Sequence, residues 1–557
     1  MNKVVLLAIN AKYVHSALSV WVLAEGVAMY ARTPHDVHVV EATIHQRDSE
    51  IAGRVAAFEP DVVGISAYIW NAGKLPGLLK LLRETIPGAV FVLGGPEASF
   101  NTVYWLEQGA DFVLKGEGEY AFAALLDEKS KPSKGTVLLL GQAEEPSPCL
   151  ACFTSAAYIK ALGGRIAYIE TSRGCPYNCA FCLSAGSGVR YLPLDAAKEH
   201  LRKLSEAGAK TIKLVDRTFN CDAARAYELF EYVIKMDTVS RFHFEVAPDL
   251  FDSRMIDLLR EAPPGRIQLE AGLQSFFAPA LKAVSRPMDI EKAERNIREL
   301  TREGNIHIHV DLIAGLPYET LPDFLDSFDR AFTLGAHTLQ LGFLKLLHGS
   351  ALRARAEALG IKYSAEPPYE IQSSPWLGEG DIALLKQVEN ALQHTYNKCR
   401  FLSTLEYVSS ASGIRPSSLF ENLGASAWNA GADLSVYAAQ IYNVFVKLPG
   451  VDASILRDKM VCDWLGMVKG KNMPDSLRSP GNLRGAPGPD SVSGSSVALT
   501  VRRRDVVAAA EKQLGRKIRR DEAAVLSSGA GVYVDSEDRD PVTGLYRVRK
   551  QGDGSSA

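Results

Sequence analysis

Short apolar runs of β-branched character alternate with helical patterns through the first 127 residues. KVVLLAIN precedes a helix over 16–32, DVHVVEATI one over 48–58, DVVGISAYI one over 74–86, VFVLGG one over 101–108 and DFVLKG one over 118–127. Five strand–helix repeats of this length predict a parallel, doubly wound sheet covered on both faces, a Rossmann-like domain over residues 1–130. Ligands of such sheets bind beyond the carboxyl ends of the strands. Those ends carry Asn10, Ser66 in SAYIWN, Gly94, Gly95 and Glu97 in GGPE, and Gly116, Glu117 and Gly118 in GEGE. Glycine-rich turns let a backbone come close to a large ligand, although tight turns need glycine anyway.

Residues 131–165 read as a connector rich in Lys, Pro, Ser and Gly around one apolar run, TVLLLG. Cys149 and Cys152 lie here, with no second pair or neighbouring histidine to complete a metal site, and are read as unrelated thiols. The alternation restarts over 166–360, with IAYIETSRG, TIKLVDRTF, FHFEVAPDL, IQLEAGLQS, IHIHVDLIAGLP and TLQLGFLKLL separated by helical stretches. Six such steps suit a partial (β/α)6 barrel of the TIM type, whose active site lies at the carboxyl ends of its strands. Periodicity alone leaves an open sheet possible. Residues 361–473 change to long helical patterns, a mainly helical domain. The stretch 474–557 opens with a Pro/Gly/Ser-rich linker and reads as a largely flexible basic tail.

A chain of 557 residues with 47% hydrophobic and 23% charged positions is ordinary globular material, too long for one core. The net charge of -3 gives no electrostatic reason to expect nucleic acid or an anionic membrane as partner. The basic helix near 504–526 carries Asp505, Glu511, Asp521 and Glu522 among its arginines and lysines, and reads as a solvated face. No apolar stretch reaches the roughly 18 residues of a membrane span. The first residues lack the pattern of a secretory signal, so a cytoplasmic location is expected.

Three of the eight cysteines fall within eight consecutive positions, in Thr171-Ser-Arg-Gly-Cys175-Pro-Tyr-Asn-Cys179-Ala-Phe-Cys182. In a reducing compartment such clustering points to metal or redox chemistry. Soft thiolates suit an iron–sulfur cluster or zinc. A structural zinc site is closed by four ligands and an electron-transfer cluster by four cysteines, whereas three thiolates leave one iron open to a substrate. A zinc loop or buried free thiols is the plainer alternative.

This spacing, with aromatic Phe181 just before the last cysteine, resembles the radical SAM superfamily. The resemblance implies a 4Fe–4S cluster on Cys175, Cys179 and Cys182, with the open iron holding S-adenosylmethionine. One electron would then break the sulfonium bond to give a 5'-deoxyadenosyl radical. It further implies cofactor-lining roles for Glu245 in FEVAPD, for Glu270 and Gln274 in LEAGLQS, and for Gly315 in DLIAGLPYET. Where many relatives carry a Gly-Gly-Glu turn for the methionine amino group, this chain has DRTFN, so Asp216 is the substitute acceptor to test.

A Rossmann-like domain ahead of such a barrel resembles the cobalamin-binding subclass, and GGPEAS and KGEGEYAF match it. The Asp-x-His-x-x-Gly loop of other cobalamin domains is absent after the first strand. Asp36-Val-His38 lies inside the second strand, and His15 reads as a polar helix start. The block SSPWLGEGDIALLKQVENALQHTYN resembles a domain of unknown function that follows this pair. Together these resemblances imply cobalamin, S-adenosylmethionine and a cluster as cofactors. The reaction implied is methylation of an unactivated carbon in a small-molecule or peptide substrate, with a flavodoxin- or ferredoxin-type electron donor. Cyclisation or rearrangement with the same cofactors, and a non-catalytic sensor, are the alternatives. RNA methylthiolation fits less well, because no cysteine precedes residue 149.

Overall fold

The computed structural model describes residues 2–128, 136–139, 155–426, 433–467, 472–478 and 503–552. They form two compact units. The first comprises 1–306, 315–320 and 343–378, and the second 307–314, 321–342 and the residues from 379 onward.

The first unit opens with six parallel strands: β1 (Lys3–Asn10), β2 (Asp36–Thr43), β3 (Val62–Ser66), β4 (Val90–Gly94), β5 (Phe112–Lys115) and β6 (Thr136–Leu139). Their order is β2-β1-β3-β4-β5-β6, so the direction of winding reverses at β1 and β3. Such a switch point opens a crevice for a ligand at the carboxyl ends, here at Asn10 and Ser66. Alternation along β1 builds both cores. Val5, Leu7 and Ile9 pack with Ile51, Val55, Leu78 and Leu82 on one face. Val4, Leu6 and Ala8 pack with Val20, Val27, Phe122 and Leu126 on the other. The run TVLLLG, expected in a connector, instead supplies β6, paired with β5. Cys149 and Cys152 lie outside the described residues.

The same unit continues with β7 (Ala167–Ile169), a hairpin of β8 (Ser172–Cys175) and β9 (Gly188–Tyr191), then β10 (Thr211–Leu214), β11 (Arg241–Val246) and β12 (Ile267–Gln274). Strands β7, β10, β11 and β12 are parallel neighbours in chain order, as in a barrel wound once round. Period-two alternation sends Phe242, Phe244, Leu269 and Leu273 into the core under the helices. The intervening His243, Glu245, Gln268 and Glu270 therefore share the opposite face. Asp222, Asp252 and Asp289 cap the helices that follow β10, β11 and β12, each accepting from a backbone N–H three residues on.

In the second unit β13 (His307–Ala314), the helix Leu321–Phe332 and β14 (Thr338–Phe343) continue the alternation. The residues between Phe343 and Gly378 return to the first unit and carry the short hairpin β15 (Lys362–Tyr363) and β16 (Ile371–Ser373). Helices Glu379–His394, Leu402–Ser412, Pro416–Ala425, Leu434–Phe445 and Ala453–Met467 then form the expected helical region. Residues 503–552 depart from the expected flexible tail. The helix Arg503–Leu514 packs Val506 and Ala510 against Ala523 and Tyr533 of an antiparallel sheet, β17 (Ala523–Val525), β18 (Gly531–Arg539) and β19 (Tyr546–Lys550). Basic residues just after the helix are paired: Arg516 with Asp535, Lys517 with Glu511 and Arg519 with Asp521. No helix among the described residues is long and apolar enough to cross a membrane.

Candidate functional site

The three-cysteine segment is the loop of the β8–β9 hairpin. Gly174 makes the hairpin possible: at φ +95° it lies so close to its partner strand that a Cβ would sit 1.6 Å from the Gly188 carbonyl oxygen. The loop closes on itself through Cys182 N–H to Cys179 O (3.0 Å) and Gly186 N–H to Tyr177 O (3.4 Å). The Cys175 N–H donates to Ser187 Oγ at 3.2 Å. Ala180 fixes the loop to the rest of the unit, donating to Val284 O and accepting from Leu352 N–H, both at 2.8 Å.

Polar groups converge on all three sulfurs. The Ser184 N–H points at Cys182 Sγ (3.4 Å), Arg286 Nη1 at Cys179 Sγ (3.6 Å), and Thr218 Oγ1 lies 3.5 Å from Cys175 Sγ. Burial pushes the Cys179 thiol up, and the Arg286 guanidinium works the other way. The Ser184 N–H and the Arg286 guanidinium favour the thiolates that a cluster requires at Cys182 and Cys179, while the Thr218 hydroxyl gives its proton to Arg217 O; the residues present fit an iron–sulfur cluster. Phe181 is half-buried in the same loop. A groove of about 600 Å³, lined in part by Pro176, Tyr177, Lys282 and Arg286, opens beside it.

Asp216 does not face this loop as a free acceptor. Its carboxylate is 2% exposed and takes hydrogen bonds from Thr171 N–H (2.7 Å), Thr171 Oγ (2.5 Å) and Ser172 Oγ (2.9 Å). Its role is to tie the end of β10 to the start of the hairpin. Glu245 and Glu270 are brought together around Lys213, at 3.4 and 3.0 Å, and His243 Nε2 lies 2.8 Å from Glu270. Burial raises the Glu245 carboxyl against the pull of Lys213. Burial also works against the Lys213 charge, but Glu270 and Glu245 outweigh it and hold that ammonium above its ordinary value.

Gln274 ends β12 with a positive φ, and its amide occupies the space a Cβ on Gly272 would need. Gly315, also at positive φ, packs against Ile371. Next to it Glu319 is fully buried and accepts from Ser275 Oγ at 2.5 Å.

At the edge of the first sheet the expected residues divide into two groups. Ser66 Oγ is buried without a hydrogen-bond partner among the described residues, and Gly95, at φ +95°, lies where a Cβ would strike Ala67 O at 2.6 Å. An orphaned hydroxyl beside a backbone turn with no side chain fits a large polar ligand such as a corrinoid. Gly94, Gly116 and Gly118 belong to the same rim. Asn10, Glu97 and Glu117 are already engaged. Asn10 donates to His15 O and Glu41, Glu97 accepts from Tyr369 OH at 2.5 Å, and Glu117 pairs with Arg173 and Arg190. His15 Nδ1 meets Tyr168 OH at 2.7 Å. The residues missed from sequence, Arg173, Arg190, Lys213, Arg286 and Tyr369, act through partners far away in the chain.

Family comparisons agree with this geometry. A B12-binding domain matches residues 4–126, the radical SAM superfamily residues 169–331, and DUF4080, a family of unknown function, residues 357–485. Among characterised relatives, the cobalamin-dependent radical SAM methyltransferase TokK of Streptomyces tokunonensis is 25% identical over 312 residues, 50% of this chain and 46% of TokK. The chain thus spans about half the length of that relative. Two solved structures share the fold. TsrM of Kitasatospora setae, with cobalamin and a 4Fe–4S cluster bound, has a TM-score of 0.53 at 18% identity, over 66% of this chain and 79% of TsrM. OxsB, a cobalamin-dependent S-adenosylmethionine radical enzyme, has a TM-score of 0.56 at 14% identity, over 83% of this chain and 78% of OxsB. The chain therefore joins a B12-binding domain to a radical SAM domain, is homologous to the cobalamin-dependent radical SAM methyltransferases, and continues into a DUF4080 region.

Proposed function

We propose that this protein is a cobalamin-dependent radical SAM methyltransferase acting on an unactivated carbon of a small-molecule or peptide substrate. The observation that carries the reading is the hairpin loop itself: three thiols in one short loop, two of them met by donors, on a strand end that is ion-paired to the GEGE turn of the B12-binding domain.

Cys175, Cys179 and Cys182 would hold the cluster, and Ser66 with the Gly94–Gly95 and Gly116–Gly118 turns would receive the corrinoid. When bound, these groups supply an electron for cleaving S-adenosylmethionine and a methyl group for transfer. The chain's own residues position them. Arg286 fixes Cys179 and, through Nη2 to Gly272 O at 2.6 Å, locks the loop to the end of β12. Glu245, Lys213 and Glu270 set a polar wall of two carboxyl groups around one ammonium beside Gln274. A flavodoxin- or ferredoxin-type donor would approach the loop along the groove at Lys282 and Arg286.

The test is anaerobic reconstitution with iron, sulfide and hydroxocobalamin, followed by dithionite and S-adenosylmethionine, for wild type and Cys179→Ala. Binding of about one cluster and one cobalt per chain, with 5'-deoxyadenosine formed only by the wild type, is the expected result. A cluster without cobalt sinks the corrinoid assignment, and absence of 5'-deoxyadenosine sinks the radical one.

A further inference from the structure

Two arginines of the cysteine hairpin end on carboxylates of the B12-binding domain. Arg173, two residues before Cys175, places Nη1 3.2 Å from Glu117, Nη2 2.5 Å from Glu119 and Nε 2.9 Å from Glu170. Arg190 is its cross-strand partner in the β8–β9 register and pairs with the same Glu117. Like charges directly opposite each other in a hairpin repel, and a carboxylate between them relieves that repulsion. Glu117 is that carboxylate. The GEGE turn thus supplies the counter-charge for the hairpin.

The turn is packed on its other side. Glu119 begins the helix Glu119–Asp127, and its backbone packs on Gly26, where a Cβ would lie 3.0 Å away. Toward the hairpin its contacts are the pair of arginines. The network is also costly: Arg173 and Glu119 are 12% and 7% exposed, and buried ion pairs of this kind contribute little net stability over apolar packing. Stability alone does not account for five charged side chains here, whereas fixing the hairpin relative to the turn does.

We propose that Arg173 is a positioning residue that couples the two cofactor sites. Settling of the GEGE turn around a corrinoid is passed through Glu117 and Glu119 to β8, and so to the loop holding the cluster. The inference rests on the corrinoid and cluster assignments above. By linkage, a cluster in the loop then tightens corrinoid binding by the same factor that a corrinoid stabilises the cluster.

The measurement is the Kd of hydroxocobalamin, by anaerobic absorbance titration of the full chain with and without a reconstituted cluster. Wild type is expected to bind about tenfold more tightly with the cluster in place, within the usual range of coupling between sites. Arg173→Met is expected to bring that ratio close to one while leaving cluster-free affinity unchanged, and Arg173→Lys to restore part of it. A simply structural arginine would shift both affinities together, and that outcome overturns the proposal, as does a ratio near one in the wild type. If Arg173→Met does not accept a cluster, Glu119→Gln leaves the hairpin sequence intact and must lower the ratio by itself, an unchanged ratio overturning the proposal. Absence of hydroxocobalamin binding in both forms overturns the corrinoid reading and the coupling with it. Equal binding in both forms overturns the coupling alone.

Discussion

Arg286 holds Cys179 from outside the cysteine loop: its Nη1 lies 3.6 Å from the sulfur while Nη2 grips Gly272 O at 2.6 Å. A cation donating to a cluster thiolate stabilises the more negative, reduced cluster. Arg286→Met is therefore expected to assemble a cluster whose midpoint potential falls by roughly 60 mV, the one-electron equivalent of a tenfold change in equilibrium. Arg286→Lys should recover part of the difference. EPR-monitored redox titration checks this, and an unchanged potential would remove Arg286 from the electronics of the site.

Gly174 tests the loop's dependence on its hairpin. With φ at +95° and the Gly188 carbonyl oxygen 1.6 Å from where an alanine methyl would stand, Gly174→Ala cannot keep the β8–β9 register. The expected outcome is loss of most of the bound iron and a destabilisation of about 1–3 kcal/mol. Gly73→Ala, where nothing lies within 4 Å, is the control and should behave as wild type in both iron content and thermal unfolding.

His348 gives the first unit a pH dependence. Burial, with the nearby Arg353 charge, lowers its pKa from 6.5 to about 4. Asn101 Nδ2 stands 3.3 Å from its Nε2, a contact that needs the neutral ring as acceptor, and Tyr369 packs edge-on against it. With the folded value below the unfolded one, the contribution is complete above about pH 6.5 and is lost as pH falls towards 4. Urea unfolding at pH 7 and at pH 4.5 should show a smaller drop in stability for His348→Gln than for wild type. Equal drops would place the acid sensitivity elsewhere.

Much of this architecture is legible in the pattern of the chain. Strand β1 reads as a fully buried run, and its odd and even positions do build the two cores on opposite faces of the sheet. The cysteine loop is equally legible, because its chemistry lies in one local spacing. Partners distant in the chain are not. Asp216 stands where the resemblance implies an acceptor for the methionine amine, yet Thr171 and Ser172, some 45 residues earlier, consume its carboxylate. Glu97 and Glu117 sit in glycine-rich turns that suggest ligand contacts, and both are satisfied from later in the chain, through Tyr369 and through Arg173 and Arg190. The folded end of the chain is hidden for a related reason: it follows a Pro/Gly/Ser-rich stretch, and its helix fully buries only Val506 and Ala510.

That terminal module stands or falls with Arg457. The side chain is 10% exposed and reaches from the helix Ala453–Met467 to Leu477 O at 3.1 Å, Val525 O at 3.3 Å and Ser527 Oγ at 2.8 Å. Asp458 accepts from its Nη1 at 2.8 Å and from the Ser527 N–H at 2.8 Å, closing the contact from the other side. Arg457→Ala removes the donor to Leu477 O, Val525 O and Ser527 Oγ and leaves Asp458 without its cation, a loss of about 2–3 kcal/mol for charged hydrogen bonds of this kind. A module with so small a core cannot absorb that cost. Limited proteolysis should then cut the variant between residues 503 and 552 under conditions that leave the wild type intact. The B12-binding domain shares none of these contacts, so its hydroxocobalamin affinity should not change. Resistance to cleavage equal to the wild type would mean that the helix Arg503–Leu514 and its sheet hold together without this anchor.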